Sequence, residues 1–224
     1  MRQERKLHGS LLILYCVVLF ILWSIIEIIL FPIMENTMDV WAEILKETAV
    51  KLLIWTLPVI LLIRFFEKDM WLSLKKMFTN KVNWWPYIAI VAGVFILRII
   101  TAYRSFGRIG IHSEFQATSL VSIVMFVGIT EEVVFRGWLL NAAVRKWKYW
   151  PSLCTNSALF VLIHFPIWIR SEQFNDLTTV LGNCASIFVV SVLFSWAFIK
   201  SKNLIIPIVL HMAWNLSIIL FLGG

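Results

Sequence analysis

Long apolar runs separated by short charged stretches set the pattern of this chain. Seven runs read as membrane spans: Leu11–Phe31, Leu52–Phe66, Trp84–Ile100, Ser119–Val144, Trp150–Ile169, Leu177–Ile199 and Leu204–Leu222. Each approaches the ~20 residues needed to cross a bilayer as a helix. The second and third are short or flanked by charge, so their ends are soft. The runs are continuous rather than alternating, which argues for helices and against a β-barrel. A basic segment, Met1–Ser10, precedes the first run and resembles a signal sequence. The run continues past a short apolar core without a small-residue cleavage site, so it is expected to be a retained first helix.

Composition agrees with that pattern. Of 224 residues, 60% are hydrophobic and 15% charged, against about 45–50% apolar and about 25% charged for soluble domains. A soluble enzyme, a disordered chain and a secreted disulfide scaffold are excluded. The net charge of +7 is scattered between apolar runs, so no nucleic-acid partner is expected. Cys16, Cys154 and Cys184 lie in apolar stretches without a CxxC, which indicates neither a disulfide framework nor a thiolate metal site.

Charge asymmetry orients the spans. With the N-terminus inside, most Lys and Arg fall inside, from Arg2, Arg5 and Lys6 to Lys200 and Lys202. Glu35, Asp39, Glu43, Glu47, Glu114, Glu172 and Asp176 fall outside, together with Lys46, Lys51, Arg98, Arg104, Arg108 and Arg170. The expected fold is an all-α polytopic transmembrane bundle of about seven spans, N-terminus cytoplasmic, in the cell membrane. Residues 1–117 would supply three spans and residues 118–224 a four-span domain. Tryptophans and tyrosines near span ends, such as Trp84, Trp85, Tyr149 and Trp150, fit an interfacial belt.

Ionisable side chains inside spans are costly and mark functional sites by default. They are Glu27, Glu131, Glu132, Arg136, His164 and His211, with Asn215 as a polar companion. Counting 1.5 Å per residue from the expected inner ends places Glu131 and His164 roughly 21 Å deep, His211 about 12 Å and Asn215 about 18 Å. Glu132 and Arg136 share a helix face and can neutralise each other, while Glu131 is rotated by about 100° toward another face. Gly128 and Gly137 permit close helix approach. Glu27 has no partner that the sequence can name.

The set is sufficient for hydrolysis. A buried Glu131 beside a second acid can serve as general base and, with His164, aim a water. His211 and Asn215 can hydrogen-bond a developing oxyanion. Alternatively, Glu131, His164 and His211 could ligate zinc and leave a position for water; no HExxH is present.

These residues carry a family resemblance. EEVVFRG (Glu131–Gly137), FVLIH (Phe160–His164) and HMAWN (His211–Asn215) resemble the EExxxR, FxxxH and HxxxN motifs of the CAAX-protease and bacteriocin-processing membrane proteases, the Abi family. The likeness covers about Thr118 to Ser217. It implies an intramembrane endopeptidase in which Glu131 and His164 activate water, His211 and Asn215 form the oxyanion site, and Glu132, Arg136 and Phe160 support them. The cofactor is left open between a divalent metal such as zinc and none. The implied partners are the lipid bilayer and a membrane-associated peptide or protein, prenylated in the CAAX case. Two other functions stay in view: a non-catalytic, peptide-binding bacteriocin self-immunity protein, and a small proton-coupled transporter, which the lack of an internal repeat weakens.

Overall fold

A computed structural model describes residues 7–35, 48–113 and 115–223. The N-terminal Arg2, Arg5 and Lys6, the outer-loop Asp39, Glu43, Lys46 and Glu47, and Glu114 lie outside the described residues. Those described form helices and short connections, with no strand among them.

Among the described residues, nine helices longer than a single 3-10 turn follow in order. They are α1 Gly9–Met34 and α2 Thr48–Phe65, the short α3 Leu74–Thr79 and α4 Trp85–Phe106. Next come α5 over residues 120–146, α6 Tyr149–Leu162, α7 Phe165–Arg170, α8 Leu177–Ser201 and α9 Ile205–Phe221. Among the described residues, α1, α2, α4, the α6–α7 pair and α8 are long and apolar enough to cross a membrane. At 17 residues, α9 is shorter. α5, the fourth expected span, is the helix that carries the charges. Outward-facing Ile13, Leu14, Val17, Ile21 and Ile25 give α1 an apolar outer face, as lipid contact requires.

Two helices differ from expectation in ways that matter. α2 begins before Leu52, so Lys51 is helical rather than part of an external loop. α4 runs past Ile100 to Phe106, where Gly107 takes a left-handed φ of 68° and ends it. Only glycine adopts that cap freely. Arg104 is therefore a helix residue, not a loop residue, and Arg98 lies two turns inside the helix.

The core is aromatic and spans both halves of the chain. Trp23 of α1 meets Trp55 of α2 at 4.8 Å between ring centroids, Trp55 meets Phe135 of α5 at 6.5 Å, and Phe135 meets Phe160 of α6 at 4.8 Å. Edge-to-face packing of this kind adds about 0.5–1.5 kcal/mol per pair beyond area burial. α6 lies along α8, and α9 packs between α4 and α5. Polar clamps close one end of the bundle. Asn141 donates to Leu72 O at 2.9 Å and accepts from Leu72 N at 2.8 Å. Asn203 and Asn80 donate to Asn80 O and Lys202 O respectively, each at 2.8 Å.

Several helices widen into π turns: at Ile26–Leu30, at Lys51–Thr56, and on both sides of Gly128–Glu132. Such turns recur at functional sites because they re-aim side chains. Here Glu27 and Lys51 lie in them, and Glu131 stands between two.

Candidate active site

Four helices supply the polar residues. α5 carries Glu131, Glu132 and Arg136, α9 carries His211 and Asn215, the α6–α7 junction carries His164, and α2 adds Lys51. Gly128 lets α5 and α9 approach: a Cβ there would meet Met212 Cγ at 3.0 Å. Gly137 is less confined, with Leu204 Cδ2 at 3.4 Å from the equivalent point.

The innermost layer is a buried relay. Arg136 and Glu132 are both fully buried, and Arg136 Nη1 donates to Glu132 Oε1 at 2.9 Å. His211 Nδ1 reaches the same oxygen at 2.8 Å. Arg136 Nη2 donates to Ser191 O at 2.9 Å and to Ser191 Oγ at 2.7 Å, tying α5 to α8. Its guanidinium lies over the Phe160 ring at 4.6 Å. Two cores of hydrogen bonding and one aromatic face thus hold a charge pair that would be expensive alone. Ser191 belongs to this layer, yet a serine in an apolar helix gives no sequence signal of it.

A carboxylate only accepts, so His211 Nδ1 carries the hydrogen and Nε2 is left for other contacts. That Nε2 stands 4.0 Å from Glu131 Oε2. Glu131 is buried, and Oε2 has no hydrogen-bond partner among the described residues. Its other oxygen lies 3.9 Å from Lys51 Nζ. The ammonium in turn sits over Trp23 at 5.2 Å and Trp55 at 5.8 Å. Lys51 was missed by sequence reasoning because it was assigned to a loop. Its position at the edge of an apolar run was the available signal.

His164 sits where the fifth span breaks. Pro166 has no N–H and cannot continue the α6 ladder, so the chain turns at Ile163–His164 and restarts as α7. His164 Nδ1 meets Phe160 O at 2.7 Å, which leaves Nε2 clear of the backbone. His164 makes no ion pair with Glu131 within 4 Å, although the two are close enough to interact electrostatically, while His211 Nε2 stands 4.0 Å from that carboxylate. Asn215 uses one amide hydrogen on Ile123 O at 3.0 Å. Phe160 is the hub, its ring 5.1 Å from His164 and 5.9 Å from His211. His164, His211 and Asn215 all line one cavity of about 480 Å³.

Glu27 acquires a partner. Arg170 Nε, at the end of α7, lies 3.2 Å from Glu27 Oε2. The pair joins α1 to the half-helix that follows His164.

This geometry coincides with a family domain. Residues 113–217 match the model of the Rce1-like type II CAAX prenyl endopeptidases. That stretch falls in the CAAX-protease family. All three motifs lie within the matched CAAX-protease stretch, whereas Lys51, Arg98 and Glu27 precede it. An uncharacterized 24.3 kDa protein of Escherichia coli is 32% identical over 96 residues, 42% of this chain. The chain spans 39% of that relative's length.

Glu131, His164 and His211 are the metal ligands that the sequence offers as an alternative. Among the described residues no group of three or more His, Cys, Asp or Glu side chains is disposed to hold a metal ion. His211 Nδ1 is hydrogen-bonded to Glu132 and His164 Nδ1 to a carbonyl, which orients each ring by one nitrogen and leaves its Nε2 for other contacts. The cation nearest Glu131 is the ammonium of Lys51.

Proposed function

We propose that the protein is an intramembrane endopeptidase whose attacking water is activated by Glu131. One observation carries the reading. Glu131 Oε2 is buried without a partner, 4.0 Å from His211 Nε2, beside a cavity that His164 and Asn215 also line. Two acceptors at that separation can share one water, which each polarises. The water oxygen attacks the peptide carbonyl while Glu131 takes a proton, and that proton passes to the leaving amine as the tetrahedral intermediate collapses. The second amide hydrogen of Asn215 can stabilise the oxyanion. His164 Nε2, facing the same space, can shuttle the proton. On this reading His211 shares with Glu131 the water that the sequence assigns to Glu131 and His164.

The same reading keeps seven spans with the N-terminus cytoplasmic, in the cell membrane. Residues 1–117 then form a scaffold that brings Lys51 to the catalytic half, residues 118–224. A peptide or protein lying in the bilayer, prenylated or a bacteriocin-like precursor, is the proposed substrate.

The test compares new protein termini in membranes of cells carrying the parent and Glu131→Gln at matched levels. Termini seen only with the parent are expected, with cleavage in the variant reduced on the order of 10²–10⁴-fold. Identical termini in both, with both proteins folded, overturn the mechanism. A protection phenotype that survives the substitution would mark a peptide-sequestering immunity protein instead.

A further inference from the structure

The cavity beside the histidines has a cation on its wall that the proposed reaction does not use. Arg98 of α4 lines it together with His164, His211 and Asn215. The Arg98 guanidinium carbon lies 4.1 Å over the ring of Trp214. Trp214 stands three residues after His211, nearly one turn further along α9. Arg98 Nε is buried with no hydrogen-bond partner, and no described carboxylate pairs with the group.

An unpaired arginine in a membrane bundle is costly, and a folded chain retains one where an anion completes it. Stacking on Trp214 uses the face of the guanidinium and leaves its edge, the fork of N–H donors, for a planar anion. A carboxylate fits that fork with two parallel hydrogen bonds. The lining also carries groups suited to peptide bonds: Asn183 Nδ2 donates to Gln173 Oε1 at 3.0 Å, and each amide keeps further donor and acceptor capacity. A space of about 480 Å³ takes a short peptide segment rather than a folded domain.

We propose that Arg98 is the carboxylate-binding subsite of this cavity. It holds a carboxylate of the substrate on one side of the scissile bond and so sets where Glu131 cuts. The inference rests on the protease reading for its use of Glu131, but the subsite itself is tested by binding alone. The carboxylate is a free chain terminus or an acidic side chain, and the probes separate the two.

The full chain carrying Glu131→Gln is placed in nanodiscs of zwitterionic lipid. Binding is measured for a dansyl-labelled apolar tetrapeptide in three forms: free carboxylate, C-terminal amide, and amide with glutamate as last residue. The free acid or the glutamate form is expected to bind about tenfold or more tightly than the plain amide. Adding Arg98→Gln should abolish that difference, and adding Arg98→Lys should retain part of it, which separates charge recognition from misfolding. Equal affinity for acid and amide, absence of saturable binding, or a preference unchanged by Arg98→Gln overturns the proposal. So does a preference that vanishes when phosphatidylglycerol is added, because a lipid phosphate then occupies the arginine. Cleavage by the Glu131-intact protein is read separately, so a failed subsite and a failed protease reading give different results.

Discussion

Glu132 Oε1 accepts from His211 Nδ1 at 2.8 Å. The same oxygen accepts from Arg136 at 2.9 Å, so a single carboxylate oxygen couples the arginine of one motif to the histidine of another. Glu132 therefore holds the His211 ring by Nδ1, and in the proposed mechanism the second acid of the EE pair acts through that imidazole. Its neighbour Glu131, rotated about 100° around the helix, faces His211 from the other nitrogen.

Removing Arg136 should be worse for folding than removing the whole pair. Arg136→Met leaves Glu132 charged and fully buried, a change that costs about 3–5 kcal/mol. The double variant Glu132→Leu with Arg136→Met removes both charges and should recover most of that stability. Cleavage should stay lost, because His211 no longer has its orienting acceptor. Thermal unfolding in detergent and a cleavage assay on the same samples check both halves; a single variant as stable as the parent contradicts the relay.

Lys51 is expected to matter for turnover more than for folding. It sits 3.9 Å from Glu131 Oε1 and counters that charge within a partly dry site. At an effective dielectric of about 20 the gross attraction at this distance is about 4 kcal/mol, of which solvent access and reorganisation leave a part. Lys51→Met should lower kcat roughly tenfold, and Lys51→Arg should lower it less. Parent-like kcat in Lys51→Met would remove Lys51 from the site.

The two glycines of α5 should respond differently. A side chain at Gly128 presses on Met212, the neighbour of His211. Gly128→Val should cost about 1–3 kcal/mol by overpacking and should depress kcat by displacing α9. Met212→Ala in the same chain should restore part of both. At Gly137, where only ordinary contact with Leu204 is met, alanine should be tolerated. Equal effects at the two positions would show that the α5–α9 approach does not control the site.

The Glu27–Arg170 pair should hold the half-helix after His164 against α1. Arg170 has a side chain 21% exposed and Glu27 one 3% exposed, so the contribution is discounted for screening to about 1–2 kcal/mol. Glu27→Gln should lower Tm by a few degrees, at about 2–4 °C per kcal/mol for a chain of this size. Its effect should not add to that of Arg170→Gln in a double-variant cycle. Full additivity would mean that the two do not act as a pair.

The sequence by itself determined that the chain is a helical membrane protein and which side chains are worth watching. Apolar runs of that length have no other way to satisfy their backbone groups in lipid, and charges inside them stand out because burying them is costly. The Glu132–Arg136 pair was legible too, since four residues along one helix share a face. The tertiary structure alone decided the partners across helices. It brought His211 between Glu132 and Glu131, Ser191 to Arg136, and Arg170 to Glu27, because the rotation of one helix against another is set by packing around Trp55, Phe135 and Phe160 and not by either helix's own pattern. It also moved Lys51 and Arg104 from loops into helices. The end of an apolar run is blurred in sequence, since a long cationic side chain can be carried one or two turns into a span when an aromatic ring and an acid, or a cavity, receive it.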